Sequence, residues 1–205
     1  MLADHFNERV QKPTSVGSPT CSLIRRAVML MVLMGLVIGV NRGWGAETSL
    51  AEYRVKSLFL FNFATYVDWP ANAFATASAP FVIGLIGDEK FAAVLAQTVE
   101  GKTVSGRRIV MQPIETEDDF GKCHILFIDE PDQKRLGEIL DKVKTLPVLT
   151  VGETDRFMER GGVINLVKRQ GKVRLDINLD AARQAQLAIS VRLLSVADVV
   201  KGKAN

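Results

Sequence analysis

Residues 80–99 read PFVIGLIGDEKFAAVLAQTV. The run from Phe81 to Ile86 is apolar apart from one glycine and ends at Gly87-Asp88, which predicts a short strand buried on both faces. Behind it, Phe91, Val94, Leu95 and Val99 recur at helical spacing, so residues 89–99 are expected to form a helix with one apolar side. A doubly buried strand running straight into an amphipathic helix is the building unit of a parallel sheet covered by helices.

The same alternation continues downstream. GRRIVMQPI (106–114) reads as a strand, ETEDD (115–119) as an acidic loop, and CHILFID (123–129) as a second buried strand. Pro131 opens an expected helix with Leu136, Ile139, Leu140 and Val143 facing inward, and PVLTVG (147–152) is a third buried strand. TDRFMERGG (154–162) is expected as a short helix closed by Gly161-Gly162. Two strands then meet at Gln170-Gly171, a hairpin signal. In the second strand Val173, Leu175, Ile177 and Leu179 fall on one side and Arg174, Asp176 and Asn178 on the other. Asp180 is expected to cap a last helix over residues 181–200. The fold class is therefore α/β: a layered single domain, with a mostly parallel sheet, a C-terminal antiparallel hairpin and helices on both faces.

Upstream, Arg25-Arg26 precede fourteen uncharged residues, Ala27–Val40, and small residues follow at Gly43, Gly45 and Ala46. This is the layout of a cleavable signal peptide, with the exported form beginning near Ala46 or Glu47. The apolar run is shorter than the roughly 20 residues of a membrane span, which disfavours an uncleaved anchor. Residues 1–46 form the lead and signal peptide, 47–201 the domain and 202–205 a tail. No function attaches to residues 1–24, which leave the true start codon open. Five of the 26 Lys/Arg and two of the 23 Asp/Glu lie in residues 1–46, leaving 21 of each sign in the exported part. That neutral remainder has no basic field for nucleic acid. It also keeps only Cys123, so no internal disulfide can form, and no cysteine follows the apolar run to take a lipid.

Little catalytic equipment remains. His124 is the one histidine after the lead, and Cys123 and His124, as neighbours on a strand, point to opposite faces. They offer neither the clustered ligands of a zinc site nor a nucleophile–base pair, and are read as core residues. Glu100-Gly101-Lys102-Thr103 lacks the preceding strand and the earlier glycine of a phosphate loop; Ala96 stands where that glycine would be. Glu115, Glu117, Asp118 and Asp119 lack calcium-loop spacing and read as a solvated loop. No metal, cofactor or catalytic residue is assigned.

In order along the chain, EYRVKSLFLFNFATYVDWP (52–70), VIGLIGDEKFAAVLAQTVEGKTVSGRRIVM (82–111), CHILFID and the run PVLTVG through LLSVA (147–197) resemble the YfiR-like family. What the resemblance implies is a periplasmic α/β protein without known catalysis. Its implied role is repression of an inner-membrane diguanylate cyclase by binding the cyclase's periplasmic domain, so lowering cyclic di-GMP and biofilm formation. The implied partners are that domain and an outer-membrane lipoprotein that sequesters the repressor; a homodimer is a further option. Some members carry paired cysteines, a redox device that Cys123 alone cannot reproduce.

Ser49 and Glu52 read as the capping box of an opening helix that runs to about Val67 before Pro70. Eight of the ten residues from Leu58 to Val67 are apolar, more than one buried face requires. Phe59, Asn62 and Tyr66 lie on a second face that either packs on the last helix or meets a partner, and Trp69 is expected to fold over a core edge. Arg174, Asp176 and Asn178 form either a solvated or salt-bridged strand face or a ligand-reading trio. These seven residues are the candidate binding set. Two other functions stay open: a periplasmic small-molecule sensor reporting to another membrane protein, and an exported hydrolase.

Overall fold

The computed structural model describes residues 44–200. The expected lead and signal peptide, apart from residues 44–46, and the expected tail at 202–205 lie outside the described residues. From Glu47 onward these residues belong to one compact unit. Eight strands form a mixed sheet in the order β10-β8-β7-β6-β5-β2-β4-β3. In chain order they are β2 (Phe81–Ile86), β3 (Thr103–Val104), β4 (Arg107–Pro113), β5 (Ile125–Ile128), β6 (Leu149–Gly152), β7 (Ile164–Arg169), β8 (Lys172–Asn178) and β10 (Asp198–Val200). Only the β3–β4 and β7–β8 pairs are antiparallel. A separate short ribbon pairs β1 (Val67–Asp68) with β9 (Ala188–Ile189).

The apolar runs become central strands because both sheet faces are covered. In register across five strands, Leu85, Phe127, Val151, Ile164 and Ile177 make one buried row. Over that face lie α1 (Trp44–Tyr66), through Leu60, Phe63 and Ala64, and α2 (Glu89–Val99), through Phe91, Leu95 and Val99. On the other face Leu126 and Ile128 meet α3 (Gln133–Val143) through Leu136, Ile139, Leu140 and Val143, all as the spacing predicts. Asp88 and Asp132 cap α2 and α3 by accepting first-turn amide hydrogens. The β7–β8 hairpin turns at Gln170 (φ 52°) and Gly171 (φ 72°), the pair of positive φ angles a tight two-residue turn needs.

Four local expectations are corrected. First, α1 begins at Trp44, so Ser49 lies inside the helix and is no N-cap; no proline between them stops the helix from running back. Second, residues 154–162 form turns, not a helix. Phe157 is drawn fully into the core between the sheet and α3, over Gly152 and Gly162, where any Cβ would overlap its ring. Third, the expected helix over 181–200 breaks into α4 (Leu179–Gln184), β9, α5 (Val191–Leu194) and β10. Gln186 turns the chain at φ 59°, and pairing of Ala188-Ile189 with Val67-Asp68 outweighs the local helical pattern. Fourth, Asn178 caps α4 in place of Asp180, its Oδ1 accepting from the Asp180 and Ala181 amides at 3.1 and 3.0 Å.

Candidate docking surface

The inward side of α1 follows helical spacing through Tyr53, Lys56-Ser57, Leu60, Phe63-Ala64 and on to Val67. Its first half crosses the carboxyl ends of the parallel strands. There the Tyr53 hydroxyl donates to Asp88 at 2.6 Å, and buried Lys56 bridges Glu52 (2.9 Å) and Glu153 at the end of β6. Burial holds the Glu153 carboxyl above the usual carboxylate range, whereas Lys56 draws Glu52 below it. Lys168 closes the network on Glu52 at 3.1 Å. No local pattern announces this lock, because Lys56 and Glu153 are nearly a hundred residues apart.

At the amino ends of the strands aromatic rings make the closure. The imidazole of His124 stacks on Phe74 and Phe81 at 4.3 and 4.8 Å between ring centroids, and its Nδ1 accepts from the Val82 amide at 3.0 Å. Burial pushes its pKa down to about 4, so the ring is neutral near pH 7. Arg107 covers Phe74 at 3.9 Å and donates to the Thr76 and Ala79 carbonyls. Burial pushes the Cys123 thiol up to about 12, and its sulfur fills the notch above Gly84. A thiol this protonated is a poor nucleophile.

The candidate residues divide. Phe59 is half-buried against the core, stacked on Phe63 at 6.1 Å, while Asn62 is exposed. Tyr66 accepts the Ser190 amide on its backbone carbonyl and lies under Arg192, so the C-terminal segment covers this end of α1. Trp69 sits edge-on to Phe81 at 4.9 Å, and its Nε1 donates to the His124 carbonyl at 3.1 Å. Arg174 is exposed. Asp176 and Asn178 share its strand face, but both are buried: Asp176 receives Arg169 at 2.9 Å, and Asn178 is the cap of α4. The structure thus does not gather the seven into one surface.

Beside Phe59 runs an outward aliphatic stripe that is not among the seven candidates. Leu50, Val55 and Leu58 are 41, 41 and 48 % exposed, although large aliphatic residues in an α/β domain are usually inside. Their excess over one buried face was the available signal. Between this stripe and the β7–β8 hairpin runs a groove of about 450 Å³ lined by Ala51, Val55, Phe59, Lys168, Lys172 and Val173. No described helix is long and apolar enough to cross a membrane.

Among curated proteins none matches the chain significantly. Solved structures similar to it include the following two. A conserved domain protein from Vibrio cholerae O1 biovar El Tor has a TM-score of 0.43 and 16 % identity, over 58 % of this chain and 54 % of that one. The ABC domain in complex with L-Trp from Streptococcus pneumonia has a TM-score of 0.39 and 12 % identity, over 59 and 55 %. The chain spans about half the length of these solved proteins. The YfiR/HmsC-like family, by contrast, matches residues 53–198, from the sheet-facing side of α1 to the start of β10. This chain belongs to the YfiR/HmsC-like family.

Proposed function

We propose that this chain, exported by a cleavable signal peptide, represses an inner-membrane diguanylate cyclase by binding its periplasmic domain. The observation that carries the reading is the outward stripe of α1, where Leu50, Val55 and Leu58 stay exposed while the helix's opposite side fills the core. Exposed aliphatic and aromatic groups in a groove are the material of binding hot spots. Phe59, Asn62 and Arg174 are the candidate residues that such a partner could reach. An outer-membrane lipoprotein that competes for this chain would relieve repression.

Repression requires tighter binding to the inactive state of the cyclase than to the active one. Turning a cyclase from mostly on to mostly off takes about 5.5 kcal/mol of that difference. A few anchors in an apolar groove can supply it. Clean deletion of the gene is expected to raise cellular cyclic di-GMP and surface attachment. Unchanged cyclic di-GMP, with the cyclase expressed, would refute repression and leave the small-molecule sensor.

A further inference from the structure

We propose that the groove between α1 and the β7–β8 hairpin receives an apolar segment flanked by carboxylates, contributed by the periplasmic domain of the cyclase. This inference rests on the repressor reading and names the chemistry the docking surface recognises. The floor is apolar: Ala51, Val55 and Phe59 come from α1, and Val173 from the hairpin. Gly171 leaves the hairpin end of the groove open, since a Cβ there would meet nothing within 4 Å.

Charge decides what fits this floor. The hairpin tip, KRQGKVR (168–174), carries four cations and no carboxylate. Glu52 is the one carboxylate lining the groove, and Lys56 and Lys168 already occupy it. Arg169 is spent on Asp176 and Asp198. Lys172 on the groove's rim and Arg174 beyond it have no ion-pair partner among the described residues. An apolar floor beside uncompensated positive charge selects an apolar side chain with carboxylates next to it and disfavours basic segments. An anionic lipid surface would match the charge but not the shape. The floor lies between helix and hairpin, where a planar surface meets the rims first.

The test places a photo-crosslinking side chain at Val55, and separately at Lys134 on α3 across the sheet, in the full chain in living cells. Crosslinked peptides are then sequenced. The expected adduct from Val55 falls on a carboxylate-flanked apolar segment in the periplasmic domain of a membrane diguanylate cyclase. Lys172→Glu in the same chain should cut its yield at least about five-fold at unchanged abundance, since reversing a rim charge turns attraction into repulsion. An adduct on phospholipid, on a second copy of this chain or on another protein would overturn the proposal. So would a Val55 yield no higher than that from Lys134, or indifference to Lys172→Glu. The two readings fail separately. A cyclase adduct with cyclic di-GMP unchanged on deletion keeps the groove and removes repression; raised cyclic di-GMP without the adduct does the reverse.

Discussion

The two ends of the parallel sheet are closed by opposite kinds of chemistry. At the carboxyl ends, α1 is tied down by charge, with Lys56 shared between Glu52 and Glu153. At the amino ends, closure is by uncharged rings, with His124, Phe74 and Phe81 packed on one another and Trp69 against Phe81. Each end holds a group whose pKa is displaced, which is also a mark of reactive sites. Here both displaced groups are consumed by structure: the carboxylate has its lysine, and the imidazole has spent its basic nitrogen on the Val82 amide. The ends should therefore fail in different ways, one when a partner charge is removed and the other when a charge is added.

The largest effect is expected at the charged end. Lys56→Met would leave the Glu153 carboxylate, already penalised by burial, without its counter-charge. Removing one member of a buried pair costs about 3–5 kcal/mol. Because Glu153 retains some solvent contact, the lower part of that range is expected, read as a shift of the denaturant midpoint. Adding Glu153→Gln to Lys56→Met should recover part of the loss. If the single variant matches the wild-type protein in stability, the lock does not hold α1.

At the ring-lined end the effect is smaller and depends on pH. The folded state holds His124 at about 4, below its ordinary value of 6.5, so this group's contribution is fully present above pH 6.5. It is lost as pH falls through 4, because the unfolded chain takes up the proton first. At about 1.4 kcal/mol per unit, about 3.5 kcal/mol is the upper bound on the loss across that window, and solvent screening brings the expected value below it. Arg107, the charged neighbour facing the ring, works in the same direction by disfavouring a second cation. His124→Asn keeps an acceptor for the Val82 amide and should flatten the slope between pH 6.5 and 4 in urea titrations. Parallel acid slopes for variant and wild-type would remove His124 from the account, since carboxylates would then carry all of it.

The contrast also explains what the sequence could and could not disclose. The central strands were legible because Phe81–Ile86, Ile125–Ile128 and Leu149–Gly152 are buried on both faces, which leaves a continuous apolar run. The hairpin was legible because Gln170-Gly171 supplies its turn locally. The closures were not, because they join residues distant in sequence: Lys56 with Glu153, and Trp69 with His124. Asp176 and Asn178 alternate with apolar neighbours just as solvent-facing residues do, and only Arg169 and the start of α4 reveal them as buried partners. The excess of apolar residues in Leu58–Val67 announced a second face of α1 but not its place, since the C-terminal segment covers Tyr66 and leaves Val55 and Leu58 open.

The smallest effect, expected from Trp69→Phe, separates closure from docking most cleanly. Phenylalanine would keep a ring against Phe81, so the change removes chiefly the Nε1 bond to the His124 carbonyl at 3.1 Å. That carbonyl also accepts the Leu149 amide at 2.8 Å, and so is not left unpaired in the interior. The cost should then be that of one net hydrogen bond, about 1 kcal/mol by thermal or urea denaturation. Truncation to alanine would be harder to interpret, because it empties a packed edge and lowers abundance along with any contact. If Trp69 serves only to close the amino end, Trp69→Phe leaves cyclic di-GMP at the wild-type level once protein abundance is matched. A rise in cyclic di-GMP at equal abundance would show that the indole touches the partner. The docking surface would then extend beyond the open half of α1 to the ring-lined end of the sheet.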